Sequence, residues 1–140
     1  MTQIKRLKTQ AADAIEGIDS LMKSLRVSQQ MYQDSSTIYP PNLDRMIDEV
    51  GRDFSCLTRR WRLLITRLDD IEKQGDYNAD IMARAIGDFR DIRMLYIQGL
   101  AKVDEILFEF QAIDDVDRAL FQESDFLEDF GPSDDEELYE

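Results

Sequence analysis

The chain has 140 residues, 43% of them hydrophobic and 34% charged, enough apolar material for one domain core under a heavily charged surface. It contains no histidine and one cysteine, Cys56. That excludes an internal disulfide, Ser-His-Asp and Cys-His nucleophile systems, the Glu-x-x-His sites of carboxylate-bridged di-iron bundles, and ordinary zinc sites.

The net charge of −13 is unevenly spread: residues 113–140 hold twelve acids and one base, Arg118, which leaves the rest of the chain nearly neutral. Binding of nucleic acid by the whole molecule is disfavoured, because phosphate recognition needs a net cationic surface. The N-terminal MTQIKRLKTQ lacks the apolar region of a signal peptide. No run approaches the ~18–20 apolar residues of a membrane span. The expectation is therefore a soluble chain without membrane insertion, in a reducing compartment, the cytoplasm first and the nucleus second.

The first element runs over about 4–33. Ile4, Leu7, Ala11, Ala14, Ile18, Leu21 and Leu25 alternate steps of three and four, a heptad seam that no strand would show. Gln29, Gln30 and the polar run 34–37 weaken the stripe and mark its end. IYPPN, residues 38–42, interrupts the chain, since two consecutive prolines do not sit inside a helix. Asn42 is the expected N-cap of the next helix, with Asp44 in its first turn.

The second element, about 42–74, is the most regular. Leu43, Ile47, Val50, Phe54, Leu57, Trp61, Leu64, Leu68 and Ile71 fit the 4,3 alternation without a miss. Gly75 suits the position after the helix end, and Asp76 or Asn78 can cap the third helix. That helix, about 78–112, carries a seam of Ala85, Phe89, Ile92, Tyr96, Leu100, Val103, Leu107 and Phe110. Ile86, Leu95, Ile97 and Ile106 widen it into the stripe of a helix with two neighbours. Gly51, Gly87 and Gly99 lie inside these helices, where close helix approach would explain them.

Together these elements predict an all-α fold: an up-down-up antiparallel three-helix bundle of long helices over residues 1–112, followed by an acidic tail over 113–140. The tail is expected to extend the third helix for a turn or two, to stop at Gly131-Pro132, and then to be disordered.

Little in the sequence points to chemistry. GxGxxG and GxxxxGK[ST] are both missing. Asp115 and Asp117 have the alternate spacing of a calcium loop without its sixth-position glycine. No cofactor, metal or catalytic residue is expected, and the chain reads as a non-enzyme. Met22, Met31, Met46, Met82 and Met94 read as gap-fillers.

The features left over are surface features. Trp61 falls on the seam and is expected in the core, while Arg59, Arg60, Arg62 and Arg67 fall off it and form a ridge suited to an acidic partner. Phe126, Phe130 and Tyr139 stand among acids, a pattern that binds basic partners. Ser133 precedes Asp-Asp-Glu and is a candidate phosphorylation site for an acidophilic kinase. Leu63, Ile65, Met94 and Ile97 lie outside the seams and could form a partner surface or a self-association seam. One further expectation is that the tail folds back and masks the arginines of the second helix.

The segment LTRRWRLL, with Leu57, Arg60, Trp61 and Leu64, resembles the L-x-x-R-W-x-x-L signature of spectrin-type repeats, and residues 4–112 are about one such repeat long. That resemblance implies a spacer and scaffold role in cytoskeletal or nuclear-envelope linkage. RDIRMLYIQGLAKVD, residues 90–104, is similar to the last helix of BAG domains. There, Arg90 and Gln98 match the Arg and Gln eight apart that contact the Hsp70 ATPase domain, with Asp104 following. The function expected is binding of other proteins as a scaffold, adaptor or subunit of a helical complex. A BAG-like co-chaperone is the alternative.

Overall fold

A computed structural model describes the backbone of residues 2–36, 38–75 and 78–138, and the side chains of 3–36, 38–75 and 78–122. It is all-α, a bundle of three helices: α1 (Thr2–Ser35), α2 (Pro41–Gln74) and α3 (Ala79–Leu138). All nine seam residues of α2 are buried. On α1, Ile4, Leu7, Ala11, Ile18 and Leu25 are buried, and Ala14 and Leu21 pack against them half-exposed.

The start of α2 differs from expectation. The helix begins at Pro41, with Pro40 at φ −61°, ψ 129° as its N-cap, so Asn42 lies inside the first turn. A proline at the first helical position costs nothing, because its missing N–H would have had no partner there. Asp44 in this turn ties the connection together instead. Its Oδ1 accepts hydrogen bonds from the Tyr39 hydroxyl (2.6 Å), Gln29 Nε2 (2.7 Å) and Gln33 Nε2 (2.9 Å). At the other end Gly75 adopts φ 66° and donates its N–H to the carbonyls of Ile71 and Glu72, the left-handed stop that only glycine makes cheaply. Asn78 Oδ1 accepts from the Asp80 N–H (2.7 Å) and caps α3.

The α3 seam is shifted from the predicted one. Its buried residues are Ala85, Phe89, Ile92, Gly99, Val103, Ile106, Phe110 and Ile113, with Tyr96 half-buried between Ile92 and Gly99. Those nine positions step 4,3,4,3,4,3,4,3, so the seam passes through Gly99 and Ile106. Leu107 is exposed and Leu100 only half-buried. A Cβ on Gly99 would collide with the Phe54 ring, which occupies the place of a seam side chain. Gly51 faces Met22 and Arg26 of α1, whereas Gly87 has nothing within 4 Å and is not a point of close approach.

α2 packs against both neighbours, while α1 and α3 approach each other at few points. The broad face expected on α3 thus does not serve two equal contacts. α1 and α3 meet through long aromatic side chains: Tyr32 stacks on Phe110 at 4.6 Å and donates its hydroxyl to Asp114 Oδ2 at 2.7 Å.

Arg67–Asp88 and Lys102–Asp53 pairs fix the antiparallel level of α2 and α3. At that level the N-terminus of α2 lies beside residue 114 of α3. Yet α3 runs on to Leu138, past the end expected near 112 and through Gly131-Pro132. Nothing between 113 and 130 is a glycine or proline, and a single proline, which removes one backbone hydrogen bond and crowds the carbonyl four residues before it, can kink a helix without ending it.

Candidate functional site

Trp61 is 1% exposed and meets Phe89 edge-on at 5.2 Å and 60°. It is a core residue, as its seam position implied. Its Nε1 is buried without a hydrogen-bond partner among the described residues. The indole forms part of a small α1–α3 groove with Gln10, Ala14, Phe89, Arg93 and Tyr96. The arginine beside it is therefore Arg93 of α3, which the sequence pattern did not single out.

The four arginines of α2 do not form one ridge. Arg59 and Arg62 line a groove of about 700 Å³ between α1 and α2. Arg60 and Arg67 line a separate groove on the α3 side, with Asp88 and Ile92. The cause is helical geometry: at ~100° per residue, Arg59 and Arg62 lie ~60° apart and Arg60 and Arg67 ~20° apart, but the two pairs diverge across the helix. Arg67 is already paired with Asp88, while Arg59, Arg60 and Arg62 form no ion pair among the described residues. A second groove of about 550 Å³ continues the first along α1–α2, adding Arg26, Arg52 and the exposed Cys56.

Arg90 and Gln98 are both exposed on α3. Counting heptads from the buried seam, they fall on the outward side together with Asp104. The same side carries apolar residues at the outermost positions: Met94 is 59% exposed, Ile97 48% and Phe108 72%. Met94, Ile97, Ala101 and Phe108 step 3, 4 and 7, so this is a second apolar stripe facing away from the core. Phe108 also lines a groove with Met46, Asp104, Glu105 and Glu109, an aromatic edge ringed by acids. On α2, Leu63 stands 64% exposed, whereas Ile65 packs against the core. The side chains of the candidate residues Phe126, Phe130 and Ser133, and the whole of Tyr139, lie outside the described residues.

Among the described residues no group of three or more acids, cysteines or histidines could hold a metal ion. No described helix is long and apolar enough to cross a membrane. The chain matches no protein-family model, no curated protein and no solved structure.

Proposed function

We propose that the chain is a non-enzymatic protein-interaction module, a scaffold, adaptor or subunit of a helical complex, that docks partners on the outer face of α3. The observation that carries this reading is the exposed stripe of Met94, Ile97, Ala101 and Phe108. Single exposed apolar residues are ordinary. A heptad-spaced row at the outermost helix positions costs solubility and returns nothing to the bundle's own core. The resemblance of LTRRWRLL to spectrin-type repeats supports the scaffold form of the reading. Co-purification from cells, comparing the wild type with Met94→Asp plus Phe108→Asp in the full chain, tests it. Specific partners are expected to be lost while helicity is retained; an unchanged partner set would reject the α3 face.

A BAG-like co-chaperone is the second reading, favoured by one observation: Arg90 and Gln98 are exposed on the same outward side of α3 as Met94 and Ile97. It requires direct binding to an Hsp70 ATPase domain that Arg90→Ala plus Gln98→Ala abolishes. A wild type that does not bind ends it.

A further inference from the structure

Three exposed arginines of α2, Arg45, Arg52 and Arg59, stand seven residues apart at its outermost heptad positions, with Arg62 beside the last of them. None of the four is ion-paired with a described residue. The acids around the column have cations of their own: Asp48 is held by Arg26, Asp53 by Lys102 and Asp19 by Lys23. Glu49 remains on the α3 side, where its charge acts on Lys102, and Glu16 lines the far end of the α1–α2 groove. Among the described residues the column is thus a cationic stripe without a paired acid, on a chain whose acids are concentrated towards its C-terminal end.

Those acids cannot reach it within one molecule as the helices are arranged. α3 passes the N-terminus of α2 near residue 114 and goes on as a helix to Leu138, which leads its acids away from Arg59 and Arg62. The back-folding expected of the tail does not occur along this path. Residues 115–138 form a helical extension of about 36 Å at ~1.5 Å per residue.

We propose that the acidic extension of α3 lies along the arginine column of α2 in a second copy of the chain, reciprocally, in a two-fold dimer. Placed end to end about a two-fold axis, each extension runs parallel to the partner's α2 and covers as many residues of it as it contains. That reach takes it from the N-terminus of α2 past Arg45, Arg52, Arg59 and Arg62. The extension brings ten acids to this contact, including Asp125, Glu128, Asp129 and the run 134–137, against one base, Arg118. Phe126, Leu127 and Phe130 fall within one helical turn of each other in the sequence and supply apolar contact for the half-buried Ile15 and Met22 of the groove. An isologous arrangement is self-limiting, since both contacts are used once the dimer closes.

Sedimentation equilibrium of the full chain is the test, with two full-length variants. The first, Arg45→Glu, Arg52→Glu and Arg59→Glu, reverses the column. The second, Glu123→Gln, Asp125→Asn, Glu128→Gln and Asp129→Asn, neutralises part of the extension. The three arginines are exposed, and circular dichroism verifies that both variants stay helical. The wild type is expected to dimerise, with the dissociation constant rising at least tenfold between ~0.05 M and ~0.5 M salt, because exposed charge contacts are screened. Each variant alone should weaken the dimer at least tenfold. Mixing the two should restore a complex tighter than either forms alone, since one arginine column and one acidic extension remain matched. A wild type that is monomeric at ~100 µM and low salt, or a dimer indifferent to column reversal, overturns the proposal. Met94→Asp plus Phe108→Asp should leave the dimer intact, which separates this contact from partner binding on α3.

Discussion

The ring of Phe54 on α2 occupies the space that a side chain on Gly99 of α3 would take. A Cβ there would lie 3.1 Å from Phe54 Cζ and 3.3 Å from Cδ1, and closer still to Cε1. Phe54 is fully buried, and its ring also leans on Tyr96 at 6.2 Å. Gly99→Ala is therefore expected to destabilise the bundle by about 1–3 kcal/mol, the range for overpacking, despite the better helix propensity of alanine. Phe54→Leu in the same chain should relieve much of that, giving a coupling of about 1 kcal/mol in a double-mutant cycle. Gly87→Ala is the control. With nothing within 4 Å, it should stabilise by about 0.5–1 kcal/mol in urea denaturation. If both substitutions shift stability in the same direction, the close contact at Gly99 is not real.

The same pair explains what could be read from the sequence. The seam of α2 was legible to the residue, because all nine of its positions carry large apolar side chains. α3 was misread at Gly99, since a search for apolar side chains passes over a glycine and settles on the neighbouring Leu100 and Leu107. The seam is a property of backbone phase, and Phe54 supplies from across the interface what Gly99 lacks. The arginines failed for a related reason. Closeness in sequence made a ridge of Arg59, Arg60, Arg62 and Arg67, although helical phase divides them between two grooves. It also hid Arg45 and Arg52, which share the phase of Arg59. The length of α3 was not legible, because the acidic composition of the tail argues against a packed core but does not forbid a helix.

Trp61 buries an indole N–H without a partner among the described residues, so its replacements should rank unusually. Trp61→Ala should cost about 3–5 kcal/mol, as the loss of a large core side chain does. Trp61→Phe leaves a smaller void and also removes an orphan donor, whose burial costs about 1–3 kcal/mol. Its net cost is expected near 1 kcal/mol, measured by circular dichroism in denaturant. Comparable costs for both variants would mean that the N–H is satisfied. The lone tryptophan gives a direct check on burial: its fluorescence should be blue-shifted and resistant to aqueous quenchers.

Asp44 should make stability depend on acid pH. The Tyr39 hydroxyl, followed by the Gln29 amide, holds its carboxyl below the usual carboxylate range. A carboxylate with a depressed folded-state pKa stabilises the fold above its unfolded value, and that contribution is lost as pH falls through the folded value. Asp44→Ala should therefore destabilise the protein by about 1–2 kcal/mol near neutral pH, through lost charge-assisted hydrogen bonds from Tyr39, Gln29 and Gln33. As pH falls below the ordinary carboxylate range and through the lowered folded value, the wild type should lose its advantage and the two melting temperatures converge. A difference that stays constant with pH would show that Asp44 acts by shape alone.

Tyr32 gives the alkaline counterpart and tests a close tie between α1 and the far end of the α3 seam. Its hydrogen bond to Asp114, and then its burial, push the phenol up to about 12. Burial and the Asp44 hydrogen bond do the same for Tyr39, also to about 12. A phenol whose folded pKa is raised stabilises the fold below its unfolded value near 10, and the contribution disappears as pH climbs through the folded value. Ultraviolet titration should accordingly show Tyr32 and Tyr39 ionising late. Asp114→Asn should bring Tyr32 back towards 10 while leaving Tyr39 where it is. Tyr32→Phe keeps the stacking on Phe110 and should cost about 1 kcal/mol, the worth of the hydrogen bond. If Asp114→Asn leaves both late ionisations in place, Tyr32 does not donate to Asp114 and α1 is not fastened to α3 at that point.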